Sequence, residues 1–260
     1  MNTEAQGRKR AESFRREHDL GHAPLGDLVE LLIDTCGVDV VVMDADGAEH
    51  ALTMRDPMYD RTVIAVATQE HSVRQRTSIA HELAHVLWHD EDLGPETSFG
   101  GRTPIESRAD SFARHLLLPL AAVKPVADAA RTPDAAVAVL VERFDVSPLV
   151  AAIQLKEAGL LTADDCARWA GVSTRAVAAR SGWLDLYEQR CAEARRPRAP
   201  RRLVARATSA YQAGVLGIHE LASWAGLPSE KLAAVLAAEG ISPREDEAEA
   251  IEDDPLPPRS

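Results

Sequence analysis

The chain has 260 residues, of which 45% are hydrophobic and 4% aromatic, and its formal net charge is −12. This length and the abundance of alanine predict one large or two small globular domains, built mainly from helices that pack through small side chains. The negative charge argues against a protein whose whole surface binds nucleic acid, because affinity for a phosphate backbone comes largely from lysine and arginine.

Cysteine usage and the first residues indicate the compartment. Cys36, Cys166 and Cys191 are far apart and form no Cys-x-x-Cys pair, so neither a disulfide framework nor a cysteine-rich metal site is expected. The charged first 22 residues lack the apolar stretch of a secretory signal, and no later run approaches the roughly 20 apolar residues that span a bilayer. We therefore expect a cytoplasmic protein with no membrane partner.

The first part of the chain predicts two helices and a small sheet. Residues 8–20 and 23–37 have helical spacing of apolar positions, and the second helix is expected to stop at Gly37. "VDVVVMD", "EHALTMR" and "TVIAVAT" are short runs rich in β-branched residues, which predicts three strands that include one hairpin.

Two longer helices follow the sheet. "VRQRTSIAHELAHVLWH" predicts an amphipathic helix, "DEDLGPETSFGG" an acidic loop and "TPIESRADSFARHLLLP" a second helix that ends near Pro119. Within the loop, the acid run Asp90, Glu91 and Asp92 is expected to be a solvated turn.

The remainder predicts short helices with a weak internal repeat. "ARWAGVSTRAVAA" at 167–179 matches "ASWAGLPSEKLAA" at 222–234, and "ERFDVSPLVAAIQL" at 142–155 is a looser copy. Each copy has the form of two helices joined by a tight turn, as in helix-turn-helix units. The end is acidic and contains prolines, which is typical of disorder.

These elements predict a mainly helical α+β fold with three parts. A first domain is expected at 8–130, in which a small sheet packs on a long helix. An all-helical domain with helix-turn-helix-like repeats is expected at 131–242, and a disordered acidic tail at 243–260.

The first long helix carries a metal-ligand pattern. Residues four apart share one helical face, so His81 and His85 can direct imidazole nitrogens at one point, while Ile79 and Leu83 lie on the opposite side. Glu82 would be the general base, as in His-Glu-x-x-His metalloproteases. The alternative is a solvated helical face that carries two histidines by chance.

The presence of a third metal ligand would distinguish a metal site from a solvated helical face. Metzincins need a glycine and a third histidine where this chain has Trp88 and Glu91, so that subclass is excluded. The gluzincin arrangement takes a glutamate from a second helix, with an acid four residues later that orients a histidine. Here Glu106 would be the ligand and Asp110 the orienting acid.

Glu106 also has a purely structural interpretation. Thr103, Pro104, Ile105 and Glu106 form a capping box with proline at the first helical position, so this glutamate could simply cap the helix. The small Ala109 and Ala113, beside the Glu106 stripe, would permit close approach of the first helix. Considering both helices together favours the ligand role.

Other polar residues near the motif have weaker signals. His89 lies on the site face one turn beyond His85, which predicts a position near the metal ligands or in a substrate groove rather than in the ligand set. His71, His115 and Tyr59 could stabilise an oxyanion, although their spacing does not distinguish them from ordinary surface residues.

The two helices together resemble the ImmA/IrrE family of zinc metallopeptidases. "HELAH" is followed by "ESRADSFARHLLLP", which is similar to the family motif E-x-x-A-N/D-x-F-A-x-x-L-L-x-P. The resemblance covers about residues 8–160, including "FDVSPLVAAIQLKEAGLL". Thr77-Ser78 replaces the aromatic-threonine pair that is more usual in the family. This difference is expected to affect the packing of the helix more than the metal site.

The resemblance implies that 8–130 is a zincin-like metallopeptidase core, in which the small sheet packs on the active-site helix, and it implies a specific activity. It assigns His81, His85 and Glu106 as Zn²⁺ ligands and Glu82 as the catalytic acid/base. It also implies a substrate class, a helix-turn-helix transcriptional repressor that is cut at one site, which relieves repression. An extended substrate segment would pair with an exposed strand, for which "TVIAVAT" is the expected candidate.

Two rival functions use the helical half instead. In a DNA-binding regulator, Arg175 and Arg180 would contact nucleic acid and the zinc site would be structural or inactive, but the last repeat has an acidic and apolar second helix ill suited to DNA. In a scaffold or toxin-partner protein, the metal would serve stability alone. A structural site closes with four protein ligands, whereas an enzyme keeps one position open.

Overall fold

A computed structural model describes residues 2–45, 51–56, 61–90 and 103–243 of the chain. Within them lie a three-stranded sheet and thirteen helices, which confirms the expected mainly helical α+β class. The elements are α1 (Thr3–Glu17), α2 (Leu28–Cys36), β1 (Asp39–Met43), β2 (Ala51–Asp56), β3 (Arg61–Ala67), α3 (Ser72–Trp88), α4 (Pro104–Leu117), α5 (Leu120–Ala129), α6 (Pro133–Phe144), α7 (Pro148–Glu157), α8 (Ala163–Trp169), α9 (Thr174–Ser181), α10 (Leu184–Ala194), α11 (Arg201–Gln212), α12 (Ile218–Ala225) and α13 (Ser229–Ala238).

The chain divides into two compact units, Met1–Pro200 and Arg201–Ser260. The boundary expected at residue 130 lies inside the first unit, where Leu140 and Phe144 of α6 belong to the same hydrophobic core as the sheet and α3. The second unit has a small core of its own, formed by Ala207, Leu221, Ala222, Leu232 and Leu236. Residues 244–260, nearly all of the expected acidic tail, lie outside the described residues.

Side-chain caps set the limits of the first two helices. Asn2 Oδ1 accepts a hydrogen bond from Ala5 N at 2.8 Å, so α1 begins five residues before the start that periodicity predicts. Asp27 caps α2 in the same way, through Val29 N at 2.9 Å. The helix α2 ends where expected, because Gly37 adopts the left-handed conformation with φ 67°.

The sheet has the strand order β1-β3-β2. β2 and β3 pair antiparallel, with Thr53 opposite Ile64, and β1 runs parallel to β3. The expected sheet with one antiparallel pair of consecutive strands is therefore present. The central position of β3 means that the expectation of "TVIAVAT" as the exposed strand is wrong, because both of its edges are already paired. β2 is the edge strand beside α3.

The helix α1 packs against α4 at very close range. Gly7 and Ala11 are buried at this contact, and the two rings Phe14 and Phe112 meet edge to face with centroids 6.3 Å apart. The buried Arg15 guanidinium donates to the carbonyl oxygen of Leu116 at 2.8 and 2.6 Å. These contacts hold the middle and the C-terminal end of α4, the helix that carries Glu106 and Asp110.

The three predicted repeats are pairs of helices joined by short turns, namely α6–α7, α8–α9 and α12–α13. The turns after α6 and α12 use left-handed residues, Asp145 with φ 51° and Gly226 with φ 65°. Among the described helices, none combines the length and the apolar character that crossing a bilayer demands.

The contact between α1 and α4 can be tested at Gly7. A Cβ atom there would lie 2.5 Å from the carbonyl oxygen of Arg108 and 2.6 Å from the backbone nitrogen of Phe112. We expect Gly7→Ala to lower the free energy of unfolding by roughly 1–3 kcal/mol, as overpacking does. Urea unfolding measures this change.

Gly171→Ala is the matched control, because a Cβ atom there meets no atom within 4 Å. Its stability should stay the same or rise slightly, since alanine reduces the entropy of the unfolded chain. If the two variants unfold at the same urea concentration, the proposed packing of α1 on α4 is wrong.

Candidate metal centre

The helix α3 brings two imidazoles together. His81 and His85 are one turn apart, their ring centroids are separated by 4.9 Å, and their Nε2 atoms lie 3.0 Å from each other. Both side chains are mostly buried, with 18% and 14% of their surfaces exposed. The apolar positions Ile79 and Leu83 on the opposite side of α3 are buried in the core, which fixes the direction in which the histidines point.

Glu106 comes to the same point from the first turn of α4. Thr103 caps α4, since its Oγ1 accepts from Glu106 N at 3.1 Å. The carboxylate of Glu106 lies beside the histidines, with one oxygen 3.0 Å from His81 Nε2 and the other 3.6 Å from His85 Nε2. The capping and ligand interpretations of this segment are therefore compatible, because the threonine performs the first and the glutamate is available for the second.

Each histidine is oriented by a carboxylate on its other nitrogen. His81 Nδ1 lies 2.8 Å from Asp110 Oδ1, and His85 Nδ1 lies 3.0 Å from Asp90 Oδ2. A carboxylate can only accept, so each Nδ1 carries the proton and donates it. The Nε2 atoms consequently present lone pairs to the space shared with Glu106, the arrangement that metal-binding histidines use.

Asp90 is one residue of this group that the sequence did not predict. It was expected in a solvated acid run, but its side chain is only 6% exposed. Arg108 forms an ion pair with it, and the Arg108 guanidinium lies 4.9 Å above the ring of Trp88. Asp90 follows His85 by five residues, a spacing that is compatible with this contact. The contact depends on where α3 ends, and the sequence does not define that position closely enough to predict it.

The donor set fits a zinc ion. Zinc with ligands at about 2.0–2.2 Å in a tetrahedron requires donor atoms roughly 3.3–3.6 Å apart. The three separations between His81 Nε2, His85 Nε2 and Glu106 are 3.0, 3.0 and 3.6 Å. Two lone pairs and a carboxylate at such distances repel one another unless a cation or a proton lies between them.

Glu82 lies beside this donor set. Its carboxylate belongs to a group with His81 and His85 in which the ligand atoms are all within 4.8 Å of one another. One of its oxygens accepts a hydrogen bond from Thr53 Oγ1 at 2.8 Å. Thr53 is on the edge strand β2, so the strand next to the site holds the carboxylate in position. No sequence signal pointed to Thr53.

A second histidine–carboxylate group is structural. His115 is only 2% exposed, and its Nε2 donates to Glu4 Oε1 at 2.8 Å, with Glu157 Oε2 at 3.4 Å. The guanidinium of Arg114 lies 2.5 and 2.9 Å from the same two carboxylates, so the position of a cation is already filled. The view of His115 as an ordinary surface residue is therefore wrong, because it joins α1, α4 and α7 in the interior.

The protonation of this second group follows from its contacts. Burial alone would raise the pKa of Glu4, but hydrogen bonds from Arg114 and His115 lower its pKa to about 2. Burial lowers the pKa of His115 against the opposing effect of Glu4, so the neutral imidazole is favoured. Its Nδ1 then accepts from Gln154 Nε2 at 3.2 Å, which satisfies both ring nitrogens.

The remaining predicted residues lie at the edge of the site or outside it. His89 is exposed and follows the last residue of α3 with φ 55°, so its role in a substrate groove stays a prediction. His71 precedes α3, and its Nδ1 is 2.8 Å from the Tyr187 hydroxyl. Tyr59 lies outside the described residues.

Comparison with known proteins identifies the segment that carries this site. Residues 35–156 match the Peptidase_M78 family, described as the IrrE N-terminal-like domain. Residues 35–156 of the chain are thus similar to an IrrE N-terminal-like domain. The matching segment includes the two histidines, Glu82, Glu106 and both orienting aspartates, whereas α1 lies before it. This similarity agrees with the ImmA/IrrE resemblance of the two helix motifs.

The solved structures similar to the chain include a Mycobacterium tuberculosis transcriptional regulator. The two are 24% identical with a TM-score of 0.42, and the match covers 58% of this chain and 55% of that one. The chain thus matches about half the length of that protein. None of the curated proteins compared with the chain matches it.

The orienting role of Asp90 gives a testable prediction. We expect Asp90→Ala to weaken zinc binding by about 10- to 100-fold, the usual effect of removing a carboxylate that orients a metal-bound histidine. Competition with a chromophoric chelator measures the affinity. Asp185→Ala, which removes an exposed aspartate of α10, is the matched control and should leave the affinity unchanged. Equal zinc affinities of the two variants would show that Asp90 does not support His85.

Proposed function

We propose that the chain is a zinc-dependent endopeptidase that cleaves a peptide bond in a helix-turn-helix transcriptional repressor and so relieves repression. The observation that carries this proposal is the convergence of His81, His85 and Glu106 with the Glu82 carboxylate beside them. Three protein ligands are the set found in catalytic zinc sites, whereas structural sites use four. The similarity of residues 35–156 to a peptidase family supports the same class of reaction.

Each side chain of the site has a separate role in the proposed reaction. Zinc, when bound, polarises the scissile carbonyl and lowers the pKa of water in its coordination shell towards about 7. Glu82 takes the proton of the attacking water and delivers it to the leaving amine. Thr53 holds the Glu82 carboxylate in the orientation needed for both transfers. Asp110 and Asp90 keep the two imidazoles in the tautomer that binds the metal.

The edge strand β2 offers a place for the substrate. β2 is bonded to β3 along one side only within the described residues, and Thr53 at its middle contacts Glu82. An extended peptide that adds to the free side of β2 would run past the metal centre, as peptides do at exposed sheet edges. Such pairing recognises backbone groups and would therefore require an unfolded or extended segment of the repressor.

Direct DNA binding is the rival function, and the charges of the helical repeats do not favour it. Arg175 of α9, one of the two arginines that could contact DNA, forms an ion pair with Glu188, with its Nη2 2.5 Å from the carboxylate. The corresponding helix of the last repeat, α13, begins with Ser229 and Glu230 and is otherwise mostly apolar. We regard the repeats as packing elements and as surfaces that could dock a substrate.

The proposal is tested by Glu82→Gln with repressors of the helix-turn-helix class encoded beside this gene. The amide has the shape of the carboxylate but cannot accept the proton of water, so zinc content should stay at the wild-type level while cleavage falls by about 10²- to 10⁴-fold. Zinc content is measured on the purified protein, and cleavage by gel electrophoresis and mass spectrometry of the products. Glu70→Gln, on the exposed side before α3, is the matched control and should cleave normally.

Two results would contradict the proposal. If the wild-type chain and Glu82→Gln both bind zinc and both leave every neighbouring repressor intact, the peptidase role fails. If the full chain instead retains a specific DNA sequence at physiological salt and does so without zinc, the regulator is the better description.

A further inference from the structure

A cavity on the other side of α3 has no role in the proposed reaction. It has a volume of about 320 Å³ and lies between the start of α2, the first half of α3, the end of α6 and the end of α10. Five arginines line it, and we name it the arginine cavity: Arg76, Arg143, Arg190, Arg196 and Arg198. None of the lining residues belongs to the metal centre.

The arginine cavity is positively charged in a strongly acidic chain. Its lining contains three carboxylates, those of Asp27, Asp145 and Glu193, and a fourth carboxylate, that of Glu30, pairs with the lining residue Arg198, so one of the five positive charges is unbalanced. Asp145 is shared, since its oxygens lie 3.4 Å from Arg76 Nε and 3.5 Å from Arg190 Nη1. Arg198 pairs with Asp27 at 2.6 Å and with Glu30 at 2.5 Å.

Two of the arginines are available to a ligand. Across the described part of the chain, the side chains of Arg143 and Arg196 form no hydrogen bond or ion pair, and both are exposed at the cavity. A guanidinium carries five donors in a planar fork that matches the oxygens of phosphate and carboxylate groups. Two unpaired guanidinium groups at one cavity with excess positive charge favour the binding of an anion.

Arg76 adds a buried positive charge to the same cavity. Its side chain is 14% exposed and is fixed by donation to the carbonyl oxygens of Gly26 and Leu25 at 2.7 and 2.8 Å. Its Nε makes no hydrogen bond. Burial lowers the pKa of Arg76, and the nearby charge of Arg190 lowers it further, while Asp145 opposes both. A bound anion would stabilise a cation that this environment disfavours.

The size and walls of the cavity indicate the kind of anion. About 300 Å³ is the lower limit for pockets that take organic ligands, so the space exceeds that needed by an inorganic ion. The buried side chains of Leu28, Val29 and Ile79 form part of its wall and suit an apolar or aromatic body. A phosphate monoester carries about −1.5 to −2 charges at neutral pH, which the two unpaired guanidinium groups of Arg143 and Arg196 would balance.

We propose that the arginine cavity binds a nucleoside monophosphate, or a phosphate monoester of similar size, with the phosphate between Arg143 and Arg196. The site is separate from the metal centre, because Arg76 and His81 are five residues apart and project about 140° from each other around α3. Its ligand is therefore not the peptide substrate. This proposal holds whether or not the chain is a peptidase.

The test is isothermal titration calorimetry of the full chain in a phosphate-free buffer. The probes are the 5′-monophosphates of adenosine, guanosine, cytidine and uridine, the four nucleosides without phosphate, and inorganic phosphate. We expect at least one monophosphate to bind more tightly than inorganic phosphate and more tightly than its own nucleoside. The Arg143→Ala/Arg196→Ala double variant should bind it roughly tenfold or more weakly, because two charge-assisted hydrogen-bonding groups are lost.

Arg131→Ala/Arg180→Ala is the matched control. It removes the same charge from two exposed arginines outside the cavity and should bind the monophosphate like the wild type. Both double variants remove exposed, unpaired side chains and should keep the wild-type unfolding temperature, which shows that a loss of binding is local.

Three results would overturn the proposal. The first is that none of the monophosphates binds at concentrations up to about 1 mM, the weak limit of specific binding. The second is that a nucleoside binds as tightly as its monophosphate, since the arginines would then play no part. The third is equal binding to wild type and to Arg143→Ala/Arg196→Ala, as expected if the phosphate binds at the metal centre.

Discussion

The repulsion between three electron-rich groups is the constraint on which the rest of the first unit depends. His81 Nε2, His85 Nε2 and a carboxylate oxygen of Glu106 lie within 3.0 to 3.6 Å of one another. Such a cluster is unfavourable without a cation, so the fold has to hold it together by packing elsewhere. The structure does so through α4, which carries Glu106 and Asp110, and through the residues at the end of α3.

The donors are held in place by hydrogen bonds and by helix packing. The histidines are tied through Nδ1 to Asp110 and Asp90, which are themselves placed by α4 and by the end of α3. The helix α4 is pressed on its other side against α1, where Gly7 leaves no space for a Cβ atom. The helix α1 lies before the segment that matches the peptidase family, and yet it fixes the helix that supplies Glu106.

The sequence predicts the parts of the site that follow helical geometry. The spacing of four between His81 and His85 places them on one face, and the same reasoning on the second helix finds Glu106 and Asp110. The strands and the paired helices of the repeats were also predictable, because apolar periodicity and turn residues determine them locally.

The contacts that depend on long-range packing were not predictable from the sequence. Thr53 reaches Glu82 only because β3 is the central strand and β2 is left at the edge, and strand order is not encoded in the strands themselves. Asp90 resembles a solvated loop acid until Arg108 and His85 enclose it. The continuous core across residue 130 likewise arises from contacts between distant segments, which composition does not reveal.

The central claim is that His81, His85 and Glu106 hold zinc with one coordination position left to solvent. X-ray absorption spectroscopy at the zinc edge of the full chain tests it most directly. The account predicts scattering from two imidazoles, only nitrogen and oxygen neighbours at about 2.0–2.2 Å, and no sulfur at about 2.3 Å. The imidazole contribution should fall to one ring in His85→Ala. A sulfur neighbour, or a spectrum that does not change when His85 is removed, would contradict the account.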